Sequence, residues 1–366
     1  MGMRQEFIDY VKNGGEKPVV SMQIGAGAGF DTKLAGKEWV SETTLDDLIA
    51  AYEKVQCLPL FNIGMGFDFV PEFKWENFEV SASDEYRDSG SRMETPYGEL
   101  VWNFREQKKH GMTPTKYPLT IDSNLDVVKW YAEQIQKNIH RAGELLVEPL
   151  AKLQPHGPVS VQWALQPFEL FGLSFAVPQA MMLMDDPDYY RDLCDMIRDI
   201  NIELMTAVYK AGADFVFLGG PGSEAASPMI YEDFLIPDSK KITDAAHAMG
   251  GLIYSHICSP IQPFLDKGFY NRMGIDLFET LSPPPVGNVA DLKAARERLP
   301  AEMCTRGNIG LDVLLNGSRE KIEQETLRIL DATKGFKHMV AASDYMFYEI
   351  PFENVKTIVE TVKNYR

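Results

Sequence analysis

The sequence predicts one (β/α)8 TIM barrel, an α/β fold. Three observations carry that expectation. The chain has 366 residues, 45% of them hydrophobic, enough for a single large α/β barrel with its own core. From about residue 159 onward, short β-rich runs alternate with longer amphipathic ones, which is the pattern of a parallel sheet with crossover helices. With two earlier candidates added, the β-rich runs number eight, the count that closes such a barrel.

In order, the expected strands are Val19–Ile24, Leu58–Ile63, Val159–Ala164, Phe215–Leu218, Leu252–Ser255, Leu277–Glu279, Met303–Arg306 and Met339–Ala342. The expected helices are Asp186–Lys210, Pro228–Met249, Pro260–Lys267, Val289–Arg298, Ser318–Ala332 and Pro351–Tyr365. Several of them open on Ser, Asp or Pro, residues that satisfy or forgo the first unpaired backbone N–H groups of a helix. The segment from about 70 to 122 breaks the alternation, being rich in Phe, Tyr, Trp and charge. It reads as an excursion over one barrel mouth within a single domain spanning 1–366.

The formal net charge is −17 with no compensating basic block, so nucleic acid would be repelled and polyanionic small substrates are disfavoured. Four cysteines, Cys57, Cys194, Cys258 and Cys304, are scattered through the chain, which suits a reducing cytoplasm better than a disulfide framework. The first residues are amphipathic and charged, without the apolar core of a leader peptide, and no run approaches the length of a membrane span. The expectation is a soluble, untargeted, cytoplasmic protein without membrane partners.

In a barrel of this kind chemistry sits where strands end and loops begin, at the carboxyl face. The strand-end candidates are Gln23, Asn62, Gln162, Glu224, His256, Cys258, Glu279, Asn308 and Asp344. In Ser255-His256-Ile257-Cys258-Ser259, alternation puts His256 and Cys258 on the same face, within reach of one soft metal ion such as Zn2+. A third ligand must come from another strand end. Asp344 and Cys304 are the leading candidates, and Glu224 and Glu279 serve equally as ligands or as acid/base groups. The competing reading makes Cys258 a small buried hydrophobe beside a hydrogen-bonded histidine, and Asp344 a loop cap. Gly25-Ala26-Gly27-Ala28-Gly29 has neither the Lys of a phosphate-binding loop nor a dinucleotide spacing, and reads as a turn at the barrel mouth. His110, His140, His156, His247 and His338 have no ligand spacing and are assigned to solvent or to structure.

Gly212-Ala213-Asp214, Ser227-Pro228 through Tyr231, Phe234 and Pro237, then Ser255-His256-Ile257-Cys258, Gly307-Asn308-Ile309 and Pro351-Phe352-Glu353-Asn354-Val355, in that order, resemble the uroporphyrinogen decarboxylase superfamily. The resemblance implies a (β/α)8 barrel, reached independently from the strand count. One branch of the superfamily decarboxylates uroporphyrinogen without a metal, binding substrate carboxylates through an Arg-containing Gln-Ala-Gly-Arg motif. The equivalent stretch here, Met22-Gln23-Ile24-Gly25-Ala26-Gly27, has no Arg. The other branch comprises zinc methyltransferases that work with corrinoid proteins, including methylcobamide:coenzyme M methyltransferases and methyltransferases of O-demethylase systems.

The thiol-methylating members bind zinc through a His-x-Cys pair and a distant Cys seven residues before the Pro of the last helix. His256 and Cys258 match the pair, and the seventh residue before Pro351 is Asp344. A carboxylate there makes the bound ion a harder Lewis acid, less suited to a thiol acceptor such as coenzyme M and better suited to polarising an oxygen, as in a methoxy compound. The resemblance thus implies Zn2+ on His256, Cys258 and Asp344, with Glu224 or Glu279 in catalysis, while Gln23, Asn62, Gln162 and Asn308 are expected from their strand-end positions to surround a small methyl donor or acceptor. No Asp-x-His-x-x-Gly corrinoid loop occurs in the chain, so cobalamin is expected on a separate corrinoid protein, and the family commonly forms homodimers. The alternatives are a metal-free decarboxylase or lyase, and a non-catalytic subunit of a corrinoid complex.

Overall fold

The computed structural model describes residues 2–174 and 176–365. Eight strands form one sheet: β1 (Val19–Val20), β2 (Phe61–Gly64), β7 (Val159–Gln162), β8 (Phe215–Phe217), β9 (Leu252–His256), β10 (Leu277–Glu279), β11 (Cys304–Ile309) and β12 (His338–Ala342). They lie in the order β1-β12-β11-β10-β9-β8-β7-β2, and every pairing in the ladder is parallel. Helices run between successive strands, consistent with the expected α/β barrel. Leu58 N, three residues before β2, donates to Val20 O of β1 at 2.9 Å.

All eight expected strands are present, and all but Leu277–Glu279 have shifted ends. The first ends at Val20, short of Ile24: farther on, Gln23 O accepts from Met346 N of a loop at 3.2 Å, and the single Tyr52 hydroxyl lies nearest Leu60 O (3.0 Å), with Met22 O at 3.2 Å. The second starts at Phe61, after Pro59 has interrupted the supply of backbone donors. The seventh runs on to Ile309 and draws Asn308 inside the strand.

The expected helix from Pro228 contains a wide turn at Tyr231–Leu235, where Ile236 N donates to Tyr231 O. Pro237 follows and has no N–H to give, so it cannot serve the Asp233 carbonyl. The Arg191 guanidinium donates to Asp233 O instead, stacks 3.7 Å over the Phe234 ring and pairs with Asp238 at 3.2 Å.

The segment that breaks the alternation is a four-stranded antiparallel sheet: β3 (Glu76–Ala82), β4 (Tyr86–Thr95), β5 (Gly98–Gln107) and β6 (Gly111–Lys116). Most of its side chains are exposed or half-buried, so no clean apolar alternation marks it. Its base is tied to the chain that follows β1. The Glu106 carboxylate accepts from Ser41 N (2.8 Å) and Ser41 Oγ (2.9 Å), and the Arg87 guanidinium lies 3.9 Å over the Trp39 ring. At the β5–β6 turn Gly111, with φ +83°, comes so close to Gly27 that a Cβ there would stand 2.2 Å from Gly27 O.

At the amino ends of the barrel strands, Phe7, Tyr10 and Val11 of the helix Met3–Asn13 pack on Leu58, Leu60, Phe215, Leu277, Cys304 and Met339. Each such fully buried Phe or Leu contributes roughly 1.5–3 kcal/mol. Among the described residues, no helix is long and apolar enough to cross a membrane.

Candidate metal centre

Register builds this site. Across β9, β10 and β11, His256 pairs with Glu279 and Glu279 with Arg306, so three ionisable side chains stand in a row on neighbouring strands at the carboxyl edge. His256 Nδ1 lies 2.7 Å from Glu279 Oε1, and Arg306 Nε donates to Glu279 Oε2. Gln23 Nε2 donates to Glu279 Oε2 at 3.2 Å, and the Tyr254 hydroxyl donates to Oε1. Arg306 reaches on to Ser21 Oγ at 3.1 Å. Glu279 and Arg306 are almost completely buried, which is tolerable only because each is paired and hydrogen-bonded.

The other ring nitrogen, Nε2, faces the mouth, 3.2 Å from Asp344 Oδ1. His256, Cys258 and Asp344 each offer one ligand atom, all within 4.8 Å of one another, and all three residues are half-buried. An imidazole nitrogen, a thiol sulfur and a carboxylate oxygen converging on one point fit a four-coordinate zinc with one position left open. Glu279 on Nδ1 fixes the ring so that Nε2 is the nitrogen that an ion would meet. Tyr345 covers one side: its ring centroid is 5.2 Å from that of His256, and its hydroxyl is 3.2 Å from Tyr254 Oη and 3.1 Å from Asn62 Nδ2.

The electrostatics agree with the geometry. Burial disfavours the charged form of Glu279, but the Arg306 guanidinium and His256 overcome it and hold the carboxyl down at about 2. Burial likewise works against protonated His256, yet hydrogen bonds to Asp344, Cys258 and Glu279 hold it well above the ordinary imidazole range. The imidazole therefore sits where positive charge is favoured, and a divalent ion would take the proton's place.

The structure brings together some of the sequence-derived candidates and separates others. Gln23 lies beneath the row, buried, with its Oε1 unpartnered. Asn62 and Gln162 bond each other at 2.8 Å beside Tyr345. Asn308 departs from the expected substrate contact: it is buried, its Nδ2 donates to Leu281 O (2.8 Å), and Arg328 of the outer helix Arg319–Ala332 donates to its Oδ1 (3.3 Å). Glu224 lines a neighbouring cleft that excludes His256, Cys258 and Asp344. Cys304 is corrected as a rival ligand, because it begins β11 at the opposite end of the barrel, buried against Tyr10, and burial raises its thiol to about 12. Arg306, Tyr254 and Tyr345 were missed. A lone Arg closing the apolar run Met303–Arg306 was the available signal for the first, and adjacency to Asp344 for the last.

Residues 176–365 match the family model described as uroporphyrinogen decarboxylase (URO-D). The uroporphyrinogen decarboxylase of Novosphingobium aromaticivorans is 26% identical over 189 residues, covering 49% of this chain and 51% of that protein. The methylcobamide:CoM methyltransferase MtbA of Methanosarcina mazei is 27% identical over 186 residues, covering 50% of this chain and 52% of that protein. The chain thus spans about half the length of these curated relatives. A solved methyltransferase from Methanosarcina mazei superposes with a TM-score of 0.69 at 16% identity, covering 99% of this chain and 98% of that one, a likeness of fold. With its family model matched over more than half its length, the chain belongs to the uroporphyrinogen decarboxylase family.

Proposed function

We propose that the protein is a zinc-dependent methyltransferase, moving a methyl group between a small substrate and the cobalamin of a separate corrinoid protein. The observation that carries the reading is the convergence of His256, Cys258 and Asp344 at the carboxyl mouth. The MtbA relatives add support, as does the commitment of the buried Arg306, beside Gln23 and Ser21, to Glu279.

His256, Cys258 and Asp344 would hold the zinc, which when bound supplies a Lewis acid able to polarise an atom of the substrate. Glu279 acts through His256: a carboxylate on Nδ1 orients the ring and strengthens Nε2 as a donor. Arg306 keeps that carboxylate ionised. Tyr345 and the Asn62–Gln162 pair form a polar wall above the ring, suited to orienting a substrate. With Asp344 in place of a thiolate, an oxygen-bound methyl group is favoured over a thiol acceptor. In this reading the sheet closes into a full barrel, and the antiparallel insertion, tied to the loop after β1, walls the access route.

Metal analysis of protein purified without chelator tests the proposal. The expected result is about one zinc per chain. It should be lost in His256→Ala and Cys258→Ala together with methyl transfer to a corrinoid protein, and retained with altered acceptor preference in Asp344→Cys. Metal-free protein that decarboxylates a small acid would overturn the proposal, as would zinc held without Cys258.

A further inference from the structure

Beside the metal centre lies a second cleft, of about 380 Å3, that the methyl-transfer reading leaves unused. We infer that this cleft binds a small organic ammonium ion. Its wall includes Tyr117, Gln166, Phe168, Glu169, Glu224 and Ser259, and among the described residues that line it there is no Lys, Arg or His.

The chemistry of the wall points to a cation. Glu169 stands half-buried and Glu224 is exposed at the rim. Gln166 is 2% exposed; its Nε2 donates to Gly219 O, while its Oε1 is buried without a hydrogen-bond partner. A buried acceptor with nothing to accept from costs about 1–3 kcal/mol unless a ligand supplies the donor. The hydroxyl of a hydroxyalkylammonium ion supplies it, and the positive charge of the ammonium group answers both carboxylates. The Phe168 and Tyr117 rings give the apolar and π surface that alkylammonium groups favour. Burial raises the Glu169 carboxyl to about 7, a cost that a neighbouring cation removes. A bare metal ion fits less well, since a hard divalent ion wants six or more oxygens and has no use for aromatic walls.

Placement connects the cleft to the metal centre. A Cβ on Gly222 would stand 2.3 Å from Glu224 Oε2 and 2.4 Å from Ser259 Cβ, so this glycine lets the Glu224 carboxylate close onto the residue that follows Cys258. The bound ammonium is therefore the charged end of the small substrate whose reacting end meets the metal. That last step rests on the methyl-transfer reading, whereas occupation of the cleft does not.

Calorimetric titration separates the two. The probes are choline and its neutral isostere 3,3-dimethylbutan-1-ol, added to wild type and to the Glu169→Gln, Glu224→Gln and His256→Ala variants, each with metal content and thermal melting recorded. Choline should bind wild type at least about tenfold more tightly than the neutral isostere, and each Gln variant should lose about tenfold or more of that affinity while keeping its metal and melting temperature. In His256→Ala, metal should be lost and choline binding kept. If choline and the alcohol bind alike, if neither binds at millimolar concentration, or if both Gln variants bind choline as wild type does, the ammonium site is overturned. Wild type without metal but with charge-selective choline binding would uphold the cleft and sink only the methyl-transfer reading.

Discussion

His256 is held by a carboxylate on each ring nitrogen, Glu279 on Nδ1 and Asp344 at Nε2, and the two differ in what else they touch. Asp344 faces the mouth and is available to an ion. Glu279 is buried and fully engaged by Arg306, Tyr254, Gln23 and His256. It therefore does not meet substrate, and its work is to orient the ring. Glu279→Gln keeps the volume but removes the charge that balances Arg306. Removing one partner of a buried pair costs about 3–5 kcal/mol, so the variant should unfold at clearly lower urea concentration. Where it remains folded, loss of the carboxylate behind the ligand should weaken zinc roughly 10–100-fold in a chelator competition, with the three ligands untouched. Unchanged zinc affinity in folded Glu279→Gln would show that the carboxylate does not act through His256. The converging residues could be named from the sequence, His256 and Cys258 from the His-x-Cys spacing and Asp344 as a strand-end residue given a ligand role by the family resemblance. The His256–Glu279–Arg306 row could not, because it depends on register between strands far apart in sequence. Asn308 was misread for a related reason: its strand continues past Arg306, so it lies within the ladder and is spent on Leu281 and the outer helix.

Among the elements, the strands were legible as short β-rich runs between amphipathic ones, while most of their ends were not. Pro59, which has no N–H to give, delays β2. The antiparallel insertion was seen only as an interruption, since a sheet exposed on much of both faces leaves no period-two apolar signature. Its attachment to the barrel is a backbone contact, Gly111 on Gly27. Gly111→Ala should therefore both strain a left-handed residue, at about 1–2 kcal/mol, and push the turn off the 25–29 loop. Gly36→Ala is the control, since Gly36 has φ +74° but nothing within 4 Å of its added Cβ. Hydrogen exchange should speed up at residues 25–29 in Gly111→Ala and stay at wild-type rate in Gly36→Ala; equal rates in both would mean the contact holds nothing. In the helix after β8, Arg191→Ala leaves the Asp233 carbonyl without a donor, while Asp238 keeps Arg198 at 3.2 Å. A loss of about 1–3 kcal/mol in urea unfolding is expected, and a loss below ~0.5 kcal/mol would show that water serves that carbonyl as well.

At the scale of the whole molecule, the end of the sheet opposite the candidate metal centre is locked around a neutral histidine, and this makes stability depend on pH. His338 opens β12, in register with Thr305 of β11. Its Nε2 donates to Gly307 O (2.9 Å), its Nδ1 accepts from the Thr305 hydroxyl (2.8 Å), and its own carbonyl accepts from Tyr10 of the first helix (2.9 Å). With Nε2 donating and Nδ1 accepting, the ring is neutral. Burial accordingly lowers the folded imidazole to about 3, against roughly 6.5 in an unfolded chain. Between those values the unfolded state takes a proton that the folded state refuses. The stability His338 contributes is thus complete above pH ~6.5 and falls as pH drops towards 3, by up to about 1.4 kcal/mol per pH unit. Urea unfolding at pH 7, 6 and 5 should show wild type losing stability faster than His338→Gln, which cannot titrate. The gap between the two should narrow by roughly 1–2 kcal/mol from pH 6.5 to 5. Because this histidine joins the first helix to β11 and β12, the loss should appear as one cooperative transition moving to lower urea, with the metal centre's ligands released in the same step. Parallel pH dependence in the two proteins would mean that the imidazole stays neutral when the chain unfolds, and would remove His338 as the origin of acid sensitivity.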